Sequence, residues 1–277
     1  MHQPPQTSSV PDLSVSANYE YEVFRSGDNA LAYALELIGS NKKVLEVGAG
    51  SGMMTNQLVH WKNCDVVALE INPESLEKLR SFVDRAYLAD LNKEGWTDAI
   101  GEGKFDAVLA ADVLEHLYDP WAAIRTMKSL LTDEGSIVIS LPHAGHSAII
   151  ACLFEENFEY RDIGLLDKTH IRFFGLHNIQ ALHTNAGLAI VDARFVVYQP
   201  EITEFAEQWR RVPKYVKSAL SRHRHGNVYQ VVTKAVPIER AGARSINLFD
   251  LPVRLPGARP RTILDKVKSS LGLANAR

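Results

Sequence analysis

Four histidines fall in the middle of the chain: His116 follows Asp112 and Glu115, His143 and His146 come next, and His170 lies between Asp167 and Arg172. An imidazole titrates near neutrality, so one that faces an alcohol can take its proton while the oxygen forms a new bond. His170, His146 and His116 are the candidates for that base. A second chemistry is open to the same residues, because carboxylates joined by one or two imidazoles suit magnesium or manganese, whereas structural zinc favours thiolates. That metal reading, drawn from Asp112, Glu115, His116, His143 and His146, is the lesser one, and a base acting with no metal is expected. His143, Asp167 and Arg172 are expected to face the substrate. Arg172 could hold an acidic group bidentately, or pair instead with Asp167 or Asp162.

Side chains so far apart in sequence need a scaffold that brings them to one edge. Val44-Leu-Glu-Val-Gly-Ala-Gly-Ser-Gly52 shows what it is. An apolar run that stops in alternating glycines is how a buried strand turns abruptly into a helix around a nucleotide-like ligand. Gly48, Gly50 and Gly52 remove the Cβ atoms that would block a ligand, with Glu46 just upstream. Asp65-Val-Val-Ala-Leu-Glu70 follows as a second parallel strand ending in a carboxylate, placed to accept both hydroxyls of a ribose, with Ile71 beside it. Asn72-Pro73 reads as N-cap and first helical residue. Arg85-Ala-Tyr-Leu-Ala-Asp90-Leu91 is a third strand with its acid, and Phe105 to Ala111 is a fourth, ending at Asp112.

The acid two residues before a GxGxG loop resembles the S-adenosylmethionine (SAM) loop of class I methyltransferases. The stations at Glu70, at Asp90-Leu91 and at Asp112 to Pro120 are similar to that family's later motifs. The resemblance implies that Asp90 and Leu91 hold the adenine and that the strand ending at Asp112 lies beneath the transferred methyl group. It also implies an α/β, Rossmann-like, seven-stranded and mostly parallel sheet with helices on both faces. The sequence pattern places helices at 27–39, 73–83, 120–131 and 176–186, the last closed by Gly187. Strands are expected at 43–48, 65–70, 85–89, 105–111, 136–141, 188–197 and 227–235.

Two segments depart from a minimal core: an acceptor-side insertion over 143–175 and a basic helical insertion over 198–226. In the first, Ser140-Leu-Pro-His-Ala-Gly-His146 and Gly164-Leu-Leu-Asp-Lys-Thr-His-Ile-Arg-Phe-Phe174 resemble a methyltransferase subgroup associated with polysaccharide and O-antigen assembly. That likeness implies O-methylation of a sugar hydroxyl in a glycan or glycan precursor. The alternatives are methylation of a small molecule such as a quinone, and a SAM-binding scaffold without turnover. From Trp209 to His225 the second insertion carries Arg210, Arg211, Lys214, Lys217, Arg222 and Arg224 and no acid, a composition suited to an anionic membrane surface.

The 277 residues, 46% hydrophobic, can bury one large core, expected over 19–236. Residues 1–18 read as a disordered leader, Tyr19 and Tyr21 as a lid, and 237–277 as a basic tail with an amphipathic helix at 263–271. A net charge of −3 argues against a general nucleic-acid binder, and two cysteines suit a reducing cytoplasm.

Overall fold

The computed structural model describes residues 27–254. The expected leader, the tyrosine lid and the 263–271 helix lie outside them. Seven strands form one sheet in the order β3-β2-β1-β4-β5-β7-β6. They are β1 (Lys43–Val47), β2 (Asp65–Glu70), β3 (Ala86–Leu88), β4 (Phe105–Ala111), β5 (Leu131–Pro142), β6 (Leu188–Val197) and β7 (Val228–Pro237). All neighbours are parallel except β7, which runs antiparallel to both β5 and β6.

The sheet is buried on both faces because its strands are apolar at odd and even positions alike. Val44, Val66, Leu109 and Val138 pack against α1 (Ala30–Ile38), α2 (Met53–His60) and α3 (Pro73–Leu79). Leu45, Val47, Val108 and Ile139 pack against α4 (Pro120–Ser129) on the other face. Local caps set the helix starts: Asn72 accepts the Ser75 amide at 2.9 Å and Asp119 that of Ala122 at 2.8 Å, contacts worth about 1 kcal/mol each. The expected 73–83 helix stops at Leu79, and β5 begins at Leu131, five residues early, through an irregularity opposite Phe105 and Ala107.

Both insertions begin at the carboxyl ends of strands, the first after β5 and the second after β6. A helix the sequence pattern missed, α5 (Ser147–Phe154), opens the first, and α6 (Leu176–Asn185) follows the insertion. Gly175 is the N-cap of α6; its amide donates to Asn178 Oδ1 at 3.0 Å. The second insertion forms α7 (Ala206–Arg211) and α8 (Lys214–Leu220), separated at Pro213. Trp209 and Val212 bury against Ala151 of α5, which joins the two insertions. Acids partly neutralise the basic stretch: Glu207 pairs with Arg210 and Arg211, and Glu155 lies 3.9 Å from Arg211.

The proposed boundary at 236 needs correction. β7 runs to Pro237, α9 (Ile238–Ala241) buries Ala241 on the sheet, and Leu248 is fully buried in the main core. The Ile246 amide donates to Ile190 O at 2.9 Å, so the chain remains part of the domain well past 236.

Candidate functional site

A cavity of about 510 Å³ opens where the strand order reverses, between β1 and β4, the crevice in which open α/β sheets bind ligands. Of the nine residues expected to hold the cofactor, all but Gly52 line it. The three glycines serve different ends. A Cβ on Gly48 would lie 2.6 Å from Val113, and one on Gly52 2.6 Å from Phe82, so these two pack the loop against its supports. Gly50, at φ +56°, has nothing within 4 Å of a Cβ; it faces the space a ligand would fill.

Glu70 fixes the loop: its carboxylate accepts the Gly50 amide at 2.7 Å and the Asn72 amide at 2.8 Å, one on each oxygen. The second lone pair of each oxygen remains for a diol. Asp90 accepts the Asn92 amide at 3.0 Å, which orients its turn beside Leu91. Glu46 is buried and accepts the Thr55 hydroxyl at 2.6 Å. Burial pushes its carboxyl up to about 8, Glu70 adds to the rise, and the Thr55 hydrogen bond opposes it.

A pH dependence follows. The folded-state value lies above the ordinary 4.5, so the cofactor-free protein keeps a proton that the unfolded chain releases. That stabilising contribution is complete below the ordinary value and is lost as pH rises through about 8. A cationic cofactor instead favours the ionised acid and must displace the proton. Its affinity is therefore expected to rise from pH 6 to 8, by up to about tenfold per unit. Calorimetry at pH 6, 7 and 8 checks this, and a flat profile refutes it.

Asp112 turns the chain out of β4 at φ +54°, a sparsely populated conformation for a residue other than glycine. Ser140 and Gln230 hold it: its carboxylate accepts the Ser140 hydroxyl at 2.8 Å and the Gln230 amide. Beyond it, His116 and His170 line the cavity with rings edge to face, centroids 4.8 Å apart. His170 Nδ1 faces Leu165 O at 3.4 Å and its Nε2 lies 3.8 Å from Glu115. Burial, then His116, pushes His170 down to about 4 against the opposing pull of Asp167, so the ring is neutral at pH 7. His116 Nδ1 lies 3.0 Å from the Thr169 hydroxyl, which donates to Asp167 at 2.6 Å.

The other acceptor-side candidates sit elsewhere. His146 is fully buried outside the cavity lining and spends both ring nitrogens, 3.1 Å from the Ala148 amide at the start of α5 and 2.8 Å from Tyr198 O. It is a helix cap, without a lone pair for catalysis. His143, also buried and outside the lining, ties β5 to Val228 O at 3.0 Å. Arg172 reaches neither Asp167 nor Asp162; it donates to Tyr118 O at 2.6 Å and lies over the Trp121 ring, away from the cavity lining. Replacing His146 with alanine is expected to cost about 1–3 kcal/mol of stability by stranding buried polar groups, with turnover kept. Thermal unfolding and steady-state rates separate the two, and a large rate loss at unchanged stability would restore His146 as the base.

The family profile described as a methyltransferase domain matches residues 19–193, more than half of the chain. The chain belongs to that family. It is a SAM-dependent methyltransferase with the Rossmann-like fold. Among its relatives is the ubiquinone biosynthesis O-methyltransferase of Xanthomonas euvesicatoria pv. vesicatoria, strain 85-10, 27% identical over 169 residues, or 60% of this chain and 70% of that protein. A SAM-dependent methyltransferase structure from Thermotoga maritima is similar at TM-score 0.51 and 15% identity, over 77% of this chain and 90% of that one. The [4+2]-cyclase SpnF matches as well, at TM-score 0.51 and 15% identity over 76% and 82%. Such likenesses show the fold alone, and the function has to be argued from the site.

Sequence reasoning missed Ser140, Thr169, Tyr198, Tyr229 and Gln230, which all line the methyltransferase's cavity. Ser140 and Thr169 carried a usable signal, a hydroxyl at a strand's carboxyl end and one two residues after an acid. The others come from the β6–β7 pair and depend on distant pairing.

Proposed function

We propose that this methyltransferase transfers the methyl group of SAM to a hydroxyl on a small, ring-shaped acceptor. The carrying observation is the His116 and His170 pair, set in the cavity beside Asp112 at the carboxyl end of β4. Each imidazole has its Nδ1 engaged by the 165–169 loop, which leaves Nε2 as a lone pair for the acceptor's proton or for a group that acidifies the hydroxyl. Tyr198 and Tyr229, ring centroids 5.0 Å apart and planes tilted by 52°, add an aromatic corner suited to a ring, and Ile163 adds an aliphatic edge. The ubiquinone-biosynthesis O-methyltransferases among the relatives support a phenolic or quinol acceptor.

In such a transfer the sulfonium is already an excellent leaving group, and the protein contributes alignment and a route for the proton. A sugar hydroxyl is the competing acceptor, supported by the Gly164 to Phe174 sequence, whose Gly164, Asp167, Thr169 and His170 line the cavity. Labelled SAM offered with catechols and quinols, nucleotide sugars and lipid-linked glycans tests both. We expect label on a phenolic oxygen; label on sugars alone would overturn the small-ring reading in favour of the glycan one.

A further inference from the structure

We propose that Glu115, His116 and His170 bind a divalent transition-metal ion that faces the acceptor hydroxyl. The inference rests on the reading that this end of the cavity activates an oxygen. One donor atom from each of the three residues lies within 4.8 Å of the other two, so small side-chain rotations bring all three to one ion. The decisive feature is Glu115. Its side chain is 1% exposed, and neither carboxylate oxygen has a hydrogen-bond partner among the described residues. A buried polar group left unmet is costly, and buried charges are normally paired or bound to metal. The nearest base, His170 Nε2 at 3.8 Å, is too far for a hydrogen bond, and Asp112 and Asp167 on its other sides are acids, so nothing in place meets either oxygen. A proton on one oxygen would still leave the other without a partner.

The surroundings are built in the way metal ligands are. His170 Nδ1 is turned to Leu165 O and His116 Nδ1 to Thr169, contacts that assign the protons to Nδ1 and free both Nε2 atoms. The Ile171 and Arg172 amides both donate to Glu115 O at 3.0 Å, which fastens the loop carrying His170 to the turn carrying the other two ligands. Two nitrogens and one oxygen suit zinc, cobalt, manganese or ferrous iron better than calcium or magnesium, which favour oxygen. His143 and His146 take no part, since both are bound elsewhere.

Three protein ligands leave open positions for the acceptor oxygen. Coordination releases the hydroxyl proton to water, the oxygen's electron pair forms the bond to the methyl carbon, and the carbon–sulfur pair returns to sulfur as a neutral thioether.

The test titrates Co²⁺, Mn²⁺, Zn²⁺ and Mg²⁺ into the chelator-treated full chain by calorimetry, with the visible spectrum of the Co²⁺ form as a second readout. We expect one equivalent of a transition ion at micromolar Kd. Glu115→Gln and His170→Ala should each weaken it at least tenfold while SAM affinity, read in the same preparations, stays within about twofold. Stoichiometric binding that both variants keep, or no stoichiometric binding to wild type, overturns the proposal. Because ion binding is measured without an acceptor, a protein that binds the ion but methylates no ring compound would sink the acceptor reading and leave the metal site standing. Turnover that persists in chelator, without stoichiometric binding, would do the reverse.

Discussion

Valine at position 50 is expected to abolish binding of SAM and of S-adenosylhomocysteine while leaving a folded protein. Gly50 sits at φ +56° with open cavity in front of it, so the added side chain meets no protein atom and instead occupies the ligand's volume. The left-handed conformation costs a branched residue about 1–2 kcal/mol, a loss a domain of this size can absorb. The ligand has no such latitude, because the Gly50 amide is also what fixes Glu70. We expect Kd to rise at least about 100-fold, read by calorimetry against a thermal unfolding control. Gly52→Ala should behave oppositely, losing stability through its clash with Phe82 and Leu79 at 2.6 and 3.0 Å. Binding to Gly50→Val within tenfold of wild type would remove this loop from the cofactor site.

The second large effect concerns turnover. His116→Ala and His170→Ala are each expected to lower kcat by about 10²- to 10⁴-fold, the range for loss of acid–base or metal-assisted activation. SAM affinity should hardly change, since neither ring touches the glycine loop or Glu70. The two losses should not add, because the rings share one site and residues acting as a unit are non-additive. Near wild-type rates in both variants would place the chemistry elsewhere in the cavity.

The half of the cavity built around the glycine loop was legible because its signals are local. An apolar strand, alternating glycines and an acid at the end of the next strand all lie within Val44 to Glu70, and the βαβ geometry that joins them allows little else. Glu46, Glu70, Asp90 and Asp112 therefore reach the cavity as expected. The half lined by the 163–170 loop was only partly legible. Histidine type and position along the chain could not tell a catalytic ring from a structural one, since the difference lies in what each nitrogen touches. His170 keeps Nε2 for the cavity side, whereas His146 gives both nitrogens to backbone groups, one at the start of a helix where the usual capping type, Ser147, is already the first helical residue. Arg172 was expected to face the substrate, or else to pair with Asp167 or Asp162, while the fold offers it the Tyr118 carbonyl and the Trp121 ring.

The position of β7 has a consequence in time. Among the described residues, β6 joins the sheet only through β7, and β7 is the last of the seven strands to leave the ribosome. A nascent chain that has reached residue 227 already carries the glycine loop, Glu70 and the paired histidines. It lacks Tyr229 and Gln230, and it exposes the Ile137–Pro142 edge of β5 that β7 will cover. An unpaired strand edge recruits other chains, so interrupted synthesis or proteolysis just before Val228 should yield aggregates in place of a partly active enzyme. Completion of the cavity wall and protection of the sheet thus happen in one step, which ties quality control of this chain to the closing of its cavity.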